Sequence, residues 1–262
     1  MKWSRWTRWP GISSPAPLFL RYVGRVPTWR LVLATAVGGL MVLIMGQAAK
    51  SSAVGYGYGG FVFVLFSWPL MRVVVRSLTW HDGTVWQAIL LVVASLAMGN
   101  LGDKILGFNP QSGHLHQLGW PEGQRLLWQF PLVLPVENLI LLGGLVALWQ
   151  IVRPGNAFER LLVAVAAAFV FGFWHVPGWG GWTLFVIGLT VLPWTVYLLA
   201  TGDMLVPVVA HVVMDSLAVV ATTAPPDSLL RALANPLLLL ALLGVGLAWS
   251  LYREWRDGRQ PR

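Results

Sequence analysis

The sequence of 262 residues contains no cysteine, and only 11% of its residues are charged. Without cysteine, the protein has no disulfides, no thiolate metal sites and no cysteine nucleophile. A soluble domain usually carries about 25% charged residues, whereas 56% of this chain is hydrophobic and its mean hydropathy is +0.67. This composition excludes a large soluble core and indicates an integral membrane protein.

Acidic residues are scarcer than basic ones, and the formal net charge is +8. The positive residues cluster at the ends of apolar runs, which argues against a nucleic acid partner and for a lipid bilayer. Residues 1–29 begin with the basic, Trp-rich stretch "MKWSRWTRWP". Indole rings and cations both favour the headgroup region, so this stretch is interpreted as an interfacial segment. The alternative is a disordered positive tail that only sets the orientation of the chain.

Long apolar runs dominate the rest of the sequence, and eight of them approach the roughly 20 residues that cross a bilayer. They lie near 30–48, 58–76, 84–100, 130–152, 160–177, 181–200, 204–223 and 234–252. The predicted fold is therefore all-α, a polytopic membrane helical bundle of about eight transmembrane helices. Its regions are 30–129 (N-terminal membrane helices and a polar loop), 130–223 (motif-bearing core) and 224–262 (last membrane helix and basic tail).

The distribution of Lys and Arg predicts the orientation of these spans. With eight spans and a cytoplasmic N-terminus, most of the eighteen Lys and Arg residues lie on the inside. The exceptions are Lys50, Lys104, Arg125 and Arg231. Both termini are thus predicted to be cytoplasmic, and a bacterial plasma membrane is the expected location. The longest polar connection, near 101–125, contains His114 and His116.

Four ionisable side chains fall in or at the ends of predicted spans: Glu137, His175, His211 and Asp215. An acidic side chain at the bilayer centre costs roughly 2.5–3.5 kcal/mol, so such groups usually face the bundle interior and pair with one another. His211 and Asp215 are four residues apart and should project from one helix face. Chain position alone puts the four at different depths, so a cavity or broken helices would be needed to bring them together.

Two prolines suggest where the helices that carry these residues begin and end. Pro135 predicts a helix start, which would place Glu137 in the first turn, where the helix dipole favours a carboxylate. Pro177 and the glycines after it predict that the helix carrying Phe171 and His175 ends there.

Two imidazoles and two carboxylates are compatible with several functions. One is hydrolysis by a water that a carboxylate and an imidazole deprotonate, with further donors for the oxyanion. A second is a divalent metal site, such as zinc, at Glu137, His175, His211 and Asp215. A third is a proton relay in a small transporter. The fourth is purely structural, with the polar groups satisfying one another.

The order of these residues resembles the CPBP intramembrane proteases, which include type II CAAX prenyl endopeptidases and proteins linked to bacteriocin processing and self-immunity. That family has Glu-Glu-x-x-x-Arg, then Phe-x-x-x-His, then His-x-x-x-Asn or His-x-x-x-Asp, each on a separate membrane helix. Here the matching pieces are Glu137, Phe171–His175 in "FGFWHVPG" and His211–Asp215 in "TGDMLVPVVAHVVMD". The resemblance covers roughly residues 130–222.

The resemblance implies an intramembrane endopeptidase that acts on a membrane-associated peptide or protein. It implies that Glu137 and His175 activate water, while His211 and Asp215 stabilise the oxyanion or share a metal. Asn138 is expected to be an auxiliary polar contact, and Phe171 to be mainly a packing residue.

The first motif departs from the family pattern, because Asn138 stands at the second Glu position and Leu142 at the Arg position, although the following Gly143 is present. Losing both members of a charge pair avoids leaving one buried charge unpaired. The departure also leaves open a non-catalytic membrane scaffold or immunity-type protein. Catalysis requires Glu137, His175 and His211 to converge within about 4–6 Å around an open, hydrated cavity.

Overall fold

The computed structural model describes residues 15–81, 83–110 and 117–235, together with scattered residues between 238 and 256. Within these residues the chain forms helices and no strands. The helices are α1 (Pro17–Tyr22), α2 (Thr28–Ala49), α3 (Ser52–Ser77), α4 (Thr84–Leu106), α5 (Trp120–Val152), α6 (Ala157–Trp174), α7 (Val176–Trp179), α8 (Thr183–Thr201), α9 (Leu205–Thr223) and α10 (Leu229–Leu233). The predicted all-α fold is confirmed.

Seven helices in the described part of the chain are long and apolar enough to cross a membrane, namely α2 to α6, α8 and α9. Together with the apolar composition, they establish an integral membrane protein. The predicted eighth span, 234–252, is described only in part, and the stretch 1–14 and the loop residues His114 and His116 lie outside the described residues.

The predicted helix start at Pro135 is wrong. Helix α5 begins at Trp120, inside the predicted polar loop, and runs through Pro131 and Pro135 to Val152. Each proline removes only one backbone donor, and within a membrane bundle the freed carbonyl groups can be satisfied by neighbouring helices or side chains. Glu137 therefore lies in the middle of a helix of 33 residues and gains nothing from a helix N-terminus.

Helix α5 is the central element of the bundle. Of the residues in its apolar stretch, 67% are buried, compared with 28% in α2 and in α9. It packs against α2, α3, α6 and α9. At a rise of 1.5 Å per residue the helix is about 50 Å long, which exceeds the roughly 30 Å hydrocarbon core. One polar side chain on α5 can therefore be reached by side chains from several other helices.

Helix α1 folds part of the predicted interfacial segment against the bundle. Phe19 and Tyr22 are fully buried. The Tyr22 hydroxyl donates to the Gly202 carbonyl oxygen (2.7 Å) and lies 2.7 Å from Ser77 Oγ. Burial raises the pKa of Tyr22 to about 12, so its hydroxyl stays a donor. Helix α1 thus covers the turn between α8 and α9.

Helices α6 and α8 cross closely at Gly172. A Cβ atom added there would lie 2.5 Å from the Leu184 carbonyl oxygen and 2.9 Å from the Gly188 nitrogen. These are backbone atoms of α8, which cannot swing aside as the end of a flexible side chain can. Because Gly172 is three residues before His175, this crossing also sets the position of that histidine.

Replacing Gly172 with alanine is expected to destabilise the protein by about 1–3 kcal/mol, since the added methyl group overpacks the helix crossing. The midpoint of thermal unfolding in detergent measures the effect. Gly144→Ala is the matched control, because a Cβ atom there meets nothing within 4 Å and alanine favours a helix by up to about 1 kcal/mol. Equal midpoints for the two variants would contradict the close crossing.

Candidate active site

Glu137 lies at the centre of the site, with only 7% of its surface exposed. Its Oε2 atom faces two histidines from different helices. The Tyr56 hydroxyl, on α3, lies within hydrogen-bonding reach of the same carboxyl group. The carboxylate is therefore enclosed by groups that can donate or share a proton, and not by hydrocarbon alone.

His175 is the C-cap residue of α6, where the helix ends before the short helix α7. Its Nδ1 atom lies 2.9 Å from the Phe171 carbonyl oxygen, and its Nε2 atom lies 3.9 Å from Glu137 Oε2. The two rings of Phe171 and His175 pack with their centroids 4.9 Å apart. Phe171 therefore contacts the histidine through both its carbonyl oxygen and its ring.

His211 approaches Glu137 from α9. Its Nε2 atom is 3.6 Å from Glu137 Oε2 and 3.6 Å from Asp215 Oδ2. The Trp194 ring, on α8, packs against the imidazole at a centroid distance of 4.5 Å. His211 is buried, whereas the Asp215 side chain is 32% exposed. Asp215 therefore lies at the more open side of the site.

Asn138, next to Glu137 on α5, is fully buried. Its Nδ2 atom lies 2.9 Å from the Leu134 carbonyl oxygen and 2.9 Å from His211 Nδ1. Asn138 thus connects α5 to α9 directly beside the Glu137 carboxyl group.

All four membrane-embedded ionisable residues therefore meet, although their chain positions predict unequal depths. The turn before α9 contributes to this arrangement. Gly202, Asp203 and Met204 are buried, and α1 covers Gly202. Helix α9 consequently begins inside the bundle, which brings His211 towards Glu137.

Residues 123–217 match the family model described as "Type II CAAX prenyl endopeptidase Rce1-like". This segment, called the Rce1-like segment below, is similar to that family. It includes Glu137, Asn138, His175, His211 and Asp215, and the predicted resemblance to the CPBP family is confirmed over it. The comparison with curated proteins and the comparison with solved structures gave no match.

The Rce1-like segment does not contain every residue that surrounds its carboxylate. Tyr56 comes from α3, outside the matched residues, and the sequence carries no spacing signal that links it to Glu137. Trp194 lies within the matched segment, but an indole in an apolar span has the same pattern as a core residue. The sequence therefore predicted neither the contact of Tyr56 with Glu137 nor that of Trp194 with His211.

In the described part of the chain, no group of three or more His, Cys, Asp or Glu side chains is arranged to hold a metal ion. The predicted set of Glu137, His175, His211 and Asp215 does not meet that geometry.

Proposed function

We propose that the protein is an intramembrane endopeptidase, which hydrolyses a peptide bond of a membrane-associated peptide or protein. The observation that carries the proposal is the convergence of Glu137, His175 and His211, from three helices, with nitrogen to oxygen distances of 3.6–3.9 Å. The Rce1-like family is a protease family, which supports hydrolase activity at the family level.

In the proposed reaction, Glu137 and His175 bind and activate a water molecule. The gap of 3.9 Å between Glu137 Oε2 and His175 Nε2 lets one water approach both atoms. Glu137 takes a proton from this water while the water oxygen attacks the peptide carbonyl carbon, which is general-base catalysis.

His211 is proposed to stabilise the oxyanion that forms on the substrate carbonyl oxygen, because a buried donor aimed at developing charge is worth more than one in water. Asp215, whose Oδ2 atom lies 3.6 Å from His211 Nε2, is proposed to orient this ring before the substrate binds, after which the Nε2–H group donates to the oxyanion. The intermediate then collapses, the C–N bond breaks, and Glu137 returns the proton to the leaving amine. The products are a carboxylic acid and an amine.

The main alternative is a non-catalytic scaffold, suggested by the loss of the second Glu and the Arg from the first motif. The positions concerned, Asn138 and Leu142, are four residues apart on α5 and both are fully buried. A single charge at either position would be costly without its partner. A coupled replacement of both charges therefore explains the departure without loss of the Glu137 site and is compatible with catalysis.

The family description suggests a prenylated C-terminal CAAX peptide as the substrate class. We propose a bacterial plasma membrane as the location, with both termini cytoplasmic, because most Lys and Arg residues then lie inside.

The test is a cleavage assay with the purified protein in lipid vesicles prepared in oxygen-18 water. One probe is a farnesylated CAAX peptide, and the other is an unprenylated transmembrane peptide. We expect the farnesylated CAAX peptide to be cleaved. Mass spectrometry should then find one oxygen-18 atom in the new carboxyl group. Cleavage of the transmembrane peptide alone would contradict the CAAX substrate class, and two intact probes would contradict the protease.

A further inference from the structure

Asn138 forms two hydrogen bonds beside the carboxyl group of Glu137. Its Nδ2 atom contacts both the Leu134 carbonyl oxygen and His211 Nδ1 at 2.9 Å. Its Oδ1 atom is buried and has no hydrogen-bond partner among the described residues. The contacts of this side chain within the described structure are therefore made by its NH₂ group.

The orientation of the amide follows from its contact with Leu134. A backbone carbonyl oxygen can only accept a hydrogen bond, so the NH₂ group of Asn138 must face it. The second N–H of that group then points at His211 Nδ1, which must accept. In a neutral imidazole one nitrogen accepts and the other carries the proton. The proton of His211 is therefore on Nε2.

His175 is the opposite tautomer, with its proton on Nδ1. Its Nδ1 atom donates to the Phe171 carbonyl oxygen, at 2.9 Å, so its Nε2 atom presents a lone pair to Glu137. His211 presents an N–H group from its own Nε2 atom to the same carboxyl oxygen. The two imidazoles thus supply one acceptor for a water proton and one donor for an oxyanion.

We propose that Asn138 is a positioning residue, which holds His211 as the Nε2–H tautomer and thereby makes it the oxyanion donor. This inference rests on the proposed function. A carboxylate at position 138 would require the proton on His211 Nδ1 and would turn its Nε2 atom into an acceptor. The amide at this position therefore determines the direction of the hydrogen bonds from α5 into the site.

The test compares wild type with Asn138→Asp, which has nearly the same shape but accepts where asparagine donates. Nitrogen-15 NMR of protein labelled at histidine reports which ring nitrogen carries the proton. We expect His211 to change from the Nε2–H to the Nδ1–H form. Loss of one oxyanion donor typically lowers kcat by about 10²–10³-fold, and KM should change little.

Asn138→Leu is the second variant, since it keeps the volume and removes both donor and acceptor. We expect a mixture of His211 tautomers and a lower kcat, with a thermal midpoint close to that of wild type. His81, which pairs with Asp203 at 2.9 Å in a different loop, gives an internal reference signal that should not move.

An unchanged His211 tautomer in Asn138→Asp would overturn the proposal, even if cleavage falls. A changed tautomer with unchanged kcat would overturn it as well, because the positioning would then have no catalytic effect. If wild type cleaves neither probe, the proposed function fails, and the NMR spectra still decide whether Asn138 sets the tautomer.

Discussion

Replacing Glu137 with glutamine is expected to lower kcat for peptide cleavage by about 10³–10⁴-fold, the upper part of the range for loss of a general base. Glutamine has nearly the same shape but cannot take a proton from water. The contact of the side chain with Tyr56 and its place between His175 and His211 can be kept. Initial rates on the farnesylated CAAX peptide, or on whichever probe is cleaved, measure the effect.

The same variant separates catalysis from a structural role. Burying a carboxylate is costly, so Glu137→Gln should unfold at the same temperature as wild type or higher. Glu122→Gln is the matched control, because it makes the same chemical change on the same helix at an exposed position, and it should keep wild-type activity. A lower unfolding temperature together with retained cleavage would show that Glu137 is structural.

Replacing His175 with alanine is expected to lower kcat by about 10²–10³-fold, the second largest effect. This change removes the Nε2 lone pair that faces Glu137 at 3.9 Å, so the water would have one acceptor instead of two. The remaining rate would come from Glu137 and the oxyanion donor. The loss should be smaller than for Glu137→Gln, because the carboxylate still takes the proton.

Added imidazole provides a further readout for His175→Ala. A free imidazole that enters the vacated space can supply the missing lone pair, so partial recovery of the rate is expected. His81→Ala is the control, since His81 contacts Asp203 and no residue of the site. Full activity of His175→Ala without imidazole would contradict the proposed role of this residue.

Several features of the protein could be predicted from local sequence. The apolar runs predicted membrane helices, because their length matches the bilayer and their charges are sparse. The His211–Asp215 spacing predicted side chains on one helix face, and the two atoms are 3.6 Å apart. These predictions hold because they depend only on helix geometry and on the apolar interior of the bilayer.

Predictions that depended on backbone breaks were less accurate. Pro135 predicts the start of a helix, because proline is favoured at the first helical position, yet α5 begins at Trp120 and continues through Pro135. The apolar stretch of the helix is mostly buried among other helices, so keeping the remaining backbone hydrogen bonds outweighs the loss of one donor. A sequence pattern does not contain that packing information.

The sequence by itself determined that the protein is an all-α membrane protein, and it identified the ionisable groups within the membrane. It also placed Asn138 beside Glu137. Only the tertiary structure decided that α3, α5, α6 and α9 bring Tyr56, Glu137, His175 and His211 to one point. The direction of the hydrogen bonds at His211 was likewise set by the contact between α5 and α9. These features depend on which helix faces pack together, and packing in an apolar solvent is governed by shape and polar contacts that no local pattern records.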